Sequence, residues 1–400
     1  MRIGLLGGTF DPVHNGHVAL AQAALETDRL DKLIIMPSGQ PPHKTGQLVS
    51  MAGYRHEMAC QAFSGYPRII VSDMEILREG PSYTLDTIRQ LRSEMSPDDE
   101  LILIYGSDIL RDIENWHRPA EIMAACPLLL AERGGLDAVD SKAKAEELIG
   151  RFGAKTSFFN APTIDLSSSA IRDAAAAGQA IRQWVPEKVA RLIQKHGLYT
   201  RQADLTAISK GLTDQLGTLE RLVWPLLDRK RLLHSLNVMV YAIHLARIHD
   251  VSPEKSSVAA LLHDCAKCLP MKETRRYARK MGDDTLLDRE LAHGPAGAWL
   301  AKTRFGITDP DILRAIHYHT TGCAGMTSLD KIIFIADKVE PARTYENLEE
   351  IRRLAEFDLD ASLQICLSEI DMFLKRERLT PHPYTGHARD ELNRRMSERD

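Results

Sequence analysis

Two sets of residues in this 400-residue chain could do chemistry. The first is the run Gly7-Gly-Thr-Phe-Asp-Pro-Val-His-Asn-Gly-His17; the second is the ordered series His234, His263-Asp264, His293, His319 and Asp337. The first run follows the apolar residues 3–6, which can form a buried strand, and leads into residues 18–25, rich in Ala and Leu and good helix formers. Strand, glycine turn and helix start in that order suit a phosphate: Gly7 and Gly8 let the backbone close on an anion, and first-turn N–H groups point at it along the helix dipole. His14 and His17, three apart, fall on one face of that turn. A nucleotide triphosphate is the ligand this arrangement implies. A plain tight turn, a pair of surface histidines or part of a metal site are the bland alternatives. The Thr-Phe-Asp-Pro that precedes the histidines argues against them.

In the second set, imidazoles and carboxylates fall on successive helical stretches or their ends. Such ligands, drawn from separate helices, can build a mononuclear or dinuclear metal site inside an all-α bundle. Adjacent metals can activate water and clamp phosphoester oxygens. A His-Asp dipeptide alone arises often by chance, so the signal lies in the ordered set.

The elements that must position these residues change character along the chain. Residues 1 to about 200 alternate candidate strands (3–6, 33–36, 69–72, 101–105, 127–131, 156–159) with helical stretches such as 54–63, 85–95 and 142–149. This alternation predicts an α/β domain with a doubly wound, parallel Rossmann-like sheet, whose ligands sit at the carboxyl ends of the strands. Beyond Tyr199 the periodicity is helical, and even the apolar run 332–335 lies among helix-compatible neighbours. An α/β domain (1–200), a linker (201–215) and an all-α domain (216–400) with a frayed charged tail from Glu391 are expected.

Composition excludes several classes. The net charge is −4, with 21 Lys+Arg against 25 Asp+Glu in residues 1–200 and 30 against 30 in the rest, so neither half is a general nucleic-acid binder. Six dispersed cysteines are no disulfide framework, and no apolar run is long enough to span a bilayer. The glycine-broken N-terminus is no signal peptide. These features predict a cytoplasmic protein without membrane partners, and leave self-association open. Cys265 and Cys268 form a CxxC beside His263-Asp264 but have no second CxxC; a helix-lining role is the expectation.

Leu166-Ser-Ser-Ser-Ala-Ile-Arg172 precedes an alanine-rich helix that Ser167 or Ser168 could cap, and its hydroxyls and Arg172 can hold phosphate oxygens. With the His-Asn-Gly-His turn, it resembles the two signatures of the HxGH nucleotidyltransferases, with Ser169 where threonine is usual. Pro37-Ser-Gly-Gln-Pro-Pro-His-Lys44, Ser82-Tyr-Thr84, Gly106-Ser-Asp108 and Trp116 extend the resemblance, over nearly all of residues 1–197, to bacterial nicotinate-mononucleotide adenylyltransferases. That resemblance implies ATP, arriving with Mg²⁺, and nicotinate mononucleotide as substrates. Gly7, Gly8, Thr9 and Phe10 would belong to the nucleotide turn, with Ser167 and Ser168 beside it. Trp116 would stack on the pyridine ring, and the Tyr83-Thr84 backbone would receive its carboxylate. Gly106, Asp108 and Arg133 would lie near the nucleotides. His14, His17, Lys44 and Arg172 would stabilise charge during in-line transfer, which is mainly positioning and charge neutralisation. Another mononucleotide acceptor, such as phosphopantetheine or flavin mononucleotide, is the rival.

The second set resembles the HD phosphohydrolase superfamily. Its flanking words, His234-Ser-Leu-Asn-Val238, Leu261-Leu-His-Asp-Cys-Ala-Lys267, His293-Gly-Pro-Ala-Gly-Ala298, His317-Tyr-His-Thr-Thr-Gly322 and Ile335-Ala-Asp-Lys-Val-Glu-Pro-Ala-Arg343, are similar to the symmetrical bis(5′-nucleosyl)-tetraphosphatases. These cut diadenosine tetraphosphate, a dinucleoside polyphosphate, into two ADP. By this resemblance His234, His263, Asp264 and Asp337 would hold one metal, iron being the expectation, and His293 and His319 a second, with Asp264 bridging. Lys267 and Arg343 would meet substrate phosphate. A nucleotide sensor without turnover is the rival from another class. His317 stands on a flank of the motif, and His244 and His249 are expected to be structural.

Overall fold

The computed structural model describes residues 1–42, 49–132, 136–200 and 208–398. The chain forms two compact units, Met1–Gln194 and Lys195–Asp400.

In the first unit six strands, β1 (Arg2–Gly8), β2 (Lys32–Pro37), β3 (Ile69–Val71), β4 (Glu100–Gly106), β5 (Leu128–Glu132) and β6 (Thr156–Asn160), make a parallel sheet in the order β3-β2-β1-β4-β5-β6. Each expected strand is present, with ends moved by a residue or two. A sheet covered on both faces needs apolar residues at successive positions, so Leu5, Leu6, Leu103, Ile104, Leu128, Leu129 and Leu130 are all buried. The chain builds outward from β1 to β3 on one side and then restarts beside β1 with β4. Strand order therefore reverses between β1 and β4, where the carboxyl ends splay and leave a crevice. Gly7 and Gly8 end β1 paired with Met36 and Pro37 of β2, and the turn enters the helix Asn15–Leu25. Within that turn Phe10 takes a left-handed backbone (φ 53°), with its ring buried beneath the turn.

The described residues of the second unit contain helices and no strand. Side-chain caps from Ser209, Asp228, Ser252, Asp309, Thr327 and Asp358 start six of the helices, each oxygen accepting a first-turn N–H. The run 332–335 is fully buried within the helix Ser328–Val339, which explains its strand-like composition: this helix is apolar because neighbours surround it.

Three details differ from the expected organisation. Residues 195–199 belong to the helical unit, because His196 and Gly197 pack on Asn237 and Pro341. The stretch expected as linker includes residues outside the described set, 201–207, and the start of the helix Lys210–Val223. The tail is not frayed at Glu391; helix Pro383–Ser397 runs through it with Leu392 buried. No described helix is long and apolar enough to cross a membrane.

Candidate active sites

A cavity of about 700 Å³ opens at the β1/β4 reversal. Gly7, Gly8, Thr9, His14, His17, Tyr83, Thr84, Gly106, Asp108 and Trp116 line it. His14 caps the first helix, and its backbone N–H donates to Nδ1 of His17 at 3.2 Å. A neutral His17 therefore carries its hydrogen on Nε2. The two rings stack at 3.7 Å between centroids. Burial holds His14 down at about 4, so it is neutral near pH 7, and its Nδ1 is buried without a hydrogen-bond partner. Gly16 packs tightly beside it, since a Cβ there would stand 3.0 Å from that Nδ1 and press on the ring.

The opposite wall is an aromatic and polar shelf. Trp116 meets Tyr105 edge-on at 5.4 Å, and Tyr83 stacks on His117 at 4.3 Å. Ser82 Oγ accepts the backbone N–H groups of Gly39 (2.9 Å) and Gln40 (3.1 Å), fixing the loop after β2. Gly39 passes so close to Glu75 that a Cβ would lie 2.3 Å from its carbonyl oxygen. Burial pushes the Glu75 carboxyl up, against a 2.5 Å hydrogen bond from the Thr87 hydroxyl.

Other expected residues support the turn from behind. Ser167, not Ser168, caps its helix; Ser168 Oγ donates to the Pro12 carbonyl at 3.0 Å, and Arg172 Nη1 to that of Asp11 at 2.7 Å. Arg172, Ser167, Ser168 and the buried Phe10 are not among the residues that line the cavity. Lys44 and Arg133 lie outside the described residues. A residue the motifs do not reveal is Arg55, 1% exposed, whose guanidinium donates to the carbonyls of Ser50 (2.8 Å), Thr9 (2.9 Å) and Gly39 (3.2 Å). It ties the glycine turn to the shelf. Its helix, Ala52–Phe63, looks ordinary in sequence; only tertiary packing directs this side chain.

In the helical unit the six expected ligands converge. His234 Nε2 lies 2.9 Å from Asp337 Oδ1, and His263 Nε2 is 3.7 Å from the same oxygen. Asp264 Oδ1 is 3.2 Å from His293 Nε2 and 3.7 Å from His319 Nε2, and those two nitrogens are 3.0 Å apart. Two triads thus share Asp264: His234, His263 and Asp264, and Asp264, His293 and His319. The opposite ring edges are anchored where Nδ1 of His263 donates to the Ala260 carbonyl (2.6 Å) and Nδ1 of His319 to that of Ile316 (2.7 Å). Anchoring Nδ1 aims each Nε2 lone pair inward, and buried His263 Nε2 has no hydrogen-bond partner. Inward-facing imidazoles around shared carboxylates fit a cation.

Electrostatics agree. Burial opposes ionisation of Asp264 and Asp337, yet His263 beside the first and Lys338 beside the second hold both well below the carboxylate range. Burial also opposes the charge on His234, but Asp337 and Glu340 outweigh it and raise it to about 9. His319 is lowered by burial to about 4. Lys267 Nζ sits 3.4 Å from His293 Nδ1, and Arg343 Nη2 3.3 Å from Asp337 Oδ1. Arg231 (3.0 Å from Asp264), outside the motifs, and Lys338 (2.9 Å from Asp337), inside the last of them but given no role there, join them. His317 turns away, its Nε2 3.0 Å from Asp283. His244 and His249 anchor to Glu356 and the Ala355 carbonyl. Cys265 is buried against the Gly297 carbonyl, and Cys268 is exposed near Asp228.

The sequence matches the Cytidylyltransferase-like family over residues 5–174 and the HD domain over residues 231–342. A probable nicotinate-nucleotide adenylyltransferase of Dehalococcoides mccartyi is 39% identical over 205 residues, 50% of this chain and 98% of that protein. One of Desulfitobacterium hafniense is 38% identical over 50% of this chain and 95% of its own length. A crystal structure described as a predicted HD superfamily hydrolase involved in NAD metabolism, from Clostridium acetobutylicum, is 37% identical, covers 44% of this chain and 96% of its own, and aligns with a TM-score of 0.43. Through its N-terminal half this chain belongs to the nicotinate-nucleotide adenylyltransferase family, and its C-terminal half is an HD domain.

Proposed function

We propose that the chain joins two activities: an N-terminal adenylyltransferase making nicotinate adenine dinucleotide and pyrophosphate from ATP and nicotinate mononucleotide, and a C-terminal metal-dependent hydrolase cutting diadenosine tetraphosphate into two ADP. The first reading is carried by the stacked His14–His17 pair facing the Trp116 shelf across one cavity. The triphosphate lies against Gly7–Thr9 and the first-turn N–H groups, and ATP brings its own Mg²⁺. His14 and His17 donate to phosphate oxygens, the mononucleotide phosphate attacks the α-phosphorus, and the bond to pyrophosphate breaks. Trp116 stacks on the pyridine. Incubation with ATP and nicotinate mononucleotide releases pyrophosphate and the dinucleotide, and Trp116→Ala chiefly raises KM for the mononucleotide. An inert nicotinate mononucleotide with another acceptor reacting refutes the assignment.

The second reading is carried by the two triads meeting at Asp264. His234, His263, Asp264 and Asp337 would hold one divalent or iron ion, and His293, His319 and Asp264 a second. Bound there, such ions supply an activated water and a charge that phosphoester oxygens can lean on. The chain's own part is to keep both carboxylates ionised and the imidazoles oriented, with Lys267 and Arg343 at the rim to take polyphosphate charge. The metal-loaded protein releases ADP from diadenosine tetraphosphate and His263→Ala loses this; tight nucleotide binding with no turnover under any metal favours a sensor.

A further inference from the structure

Behind the ligand His234 a line of buried polar groups runs to the start of the helical unit. Its first member is Glu340, 4% exposed, whose Oε1 accepts from His234 Nδ1 at 3.2 Å. The other oxygen, Oε2, accepts from Asn237 Nδ2 at 2.8 Å and from the backbone N–H of Ala342 at 2.6 Å. Asn237 must present its amide nitrogen to that carboxylate, because the flipped amide would set oxygen against oxygen. The same amide lies against the His196 ring, whose Nδ1 is 2.9 Å from Asn237 Nδ2 and 3.1 Å from Oδ1.

The arrangement follows from helix spacing. Asn237 stands three residues after His234 on helix Arg229–Ile248, and Glu340 three after Asp337 at the end of helix Ser328–Val339. Each helix therefore gives one inward ligand and, one turn on, one supporting group on the same face. His196 comes from elsewhere, directly after helix Glu187–Lys195, and is itself 8% exposed. Gly197 beside it has the left-handed φ of 59° and packs on Pro341, next to Glu340.

We propose that His196 and Asn237 are positioning residues for the metal ligand His234, fixing Glu340 so that the His234 proton stays on Nδ1 and Nε2 is left for the cation. This rests on the metal-centre reading above. A line of buried hydrogen bonds favours one geometry, and loss of its far end lets the amide turn and the carboxylate drift. Outer partners of ligating histidines ordinarily change metal affinity about 10- to 100-fold.

The test uses the full chain and Mn²⁺, with free Mn²⁺ read by electron paramagnetic resonance. His196→Ala is expected to weaken binding about 10-fold, near the low end for outer partners. His196→Gln, whose side-chain amide can donate or accept in place of Nδ1, should stay within about threefold. Asn237→Asp, which faces Glu340 with a second carboxylate, should bind more weakly than His196→Ala. Circular dichroism and metal-free melting of each variant identify misfolding, and the Gln rescue separates hydrogen bonding from packing. If His196→Ala binds Mn²⁺ within twofold of the parent while Glu340→Gln loses affinity, the line ends at Glu340 and the proposal is wrong. If His196→Gln is no better than His196→Ala, the role is packing and the proposal is again wrong. If His234→Ala binds as tightly as the parent, it is the metal-centre reading that has failed.

Discussion

Replacing Arg55 by methionine should destabilise the first unit and loosen its nucleotide turn together. Methionine keeps most of the aliphatic stem, so what is lost is the guanidinium and its bonds to the carbonyls of Thr9, Gly39 and Ser50. Each bond to a charged donor is worth about 1.5–3 kcal/mol, and removing the donor leaves three carbonyls in a region where Arg55 is almost fully covered. Burying a guanidinium itself has a desolvation cost, which the substitution relieves. The net expectation is a loss of about 3–5 kcal/mol, a large part of an ordinary domain's stability. Peptide-resolved hydrogen exchange of the full chain across a urea series measures it, because it reports each unit separately. Protection should fall throughout the first unit, most around residues 7–10 and 38–40, while peptides from 210–398 keep theirs. KM for ATP should rise. Arg55→Lys, with a single ammonium, should recover only part of the loss. A change below about 1 kcal/mol with KM for ATP unaltered would show that the clamp is incidental.

Gly294→Ala places a Cβ 2.5 Å from the His317 carbonyl oxygen, so the helix starting at His293 must shift; Mn²⁺ stoichiometry should drop while the His234 triad still fills. Burial lowers His14 from 6.5 to about 4, so between those values the unfolded chain binds the extra proton. Its contribution is complete above pH 6.5 and is lost as pH falls towards 4, by about 3 kcal/mol in all; His14→Gln should remove that part of the first unit's acid sensitivity in urea melts. Asp283→Ala strips His317 of its 3.0 Å partner and the loop 283–286 of its bonds to Thr285 and Leu286. The helical unit's melting midpoint should fall by several degrees, and an unchanged midpoint would mean the pair is idle.

Much of this was readable in the residues. The six strands announced themselves because buried parallel strands need unbroken apolar runs, and 332–335 betrayed itself as helix by its neighbours. The histidines and aspartates converge as their order along successive helices implied. What could not be read depends on packing between distant segments. Arg55, Arg231 and Lys338 look like ordinary solvated cations until the fold turns them inward. Arg172 resembles a phosphate ligand, yet its guanidinium meets the Asp11 carbonyl because the two motifs dock on each other. The boundary near 200 was set by where strands stop, whereas His196 follows a hydrogen bond to Asn237, 41 positions away.

That bond bears on how such a fusion can be taken apart or reassembled. A recombination event joining or swapping these two units carries a whole helical module only if its crossover falls before Lys195. One placed after Thr200, where the alternation of strands and helices ends, would graft the helices without their first few residues. The boundary read from the change of periodicity and the boundary of packing are offset by half a dozen residues, and a hybrid built on the wrong one should show its defect as poor metal retention.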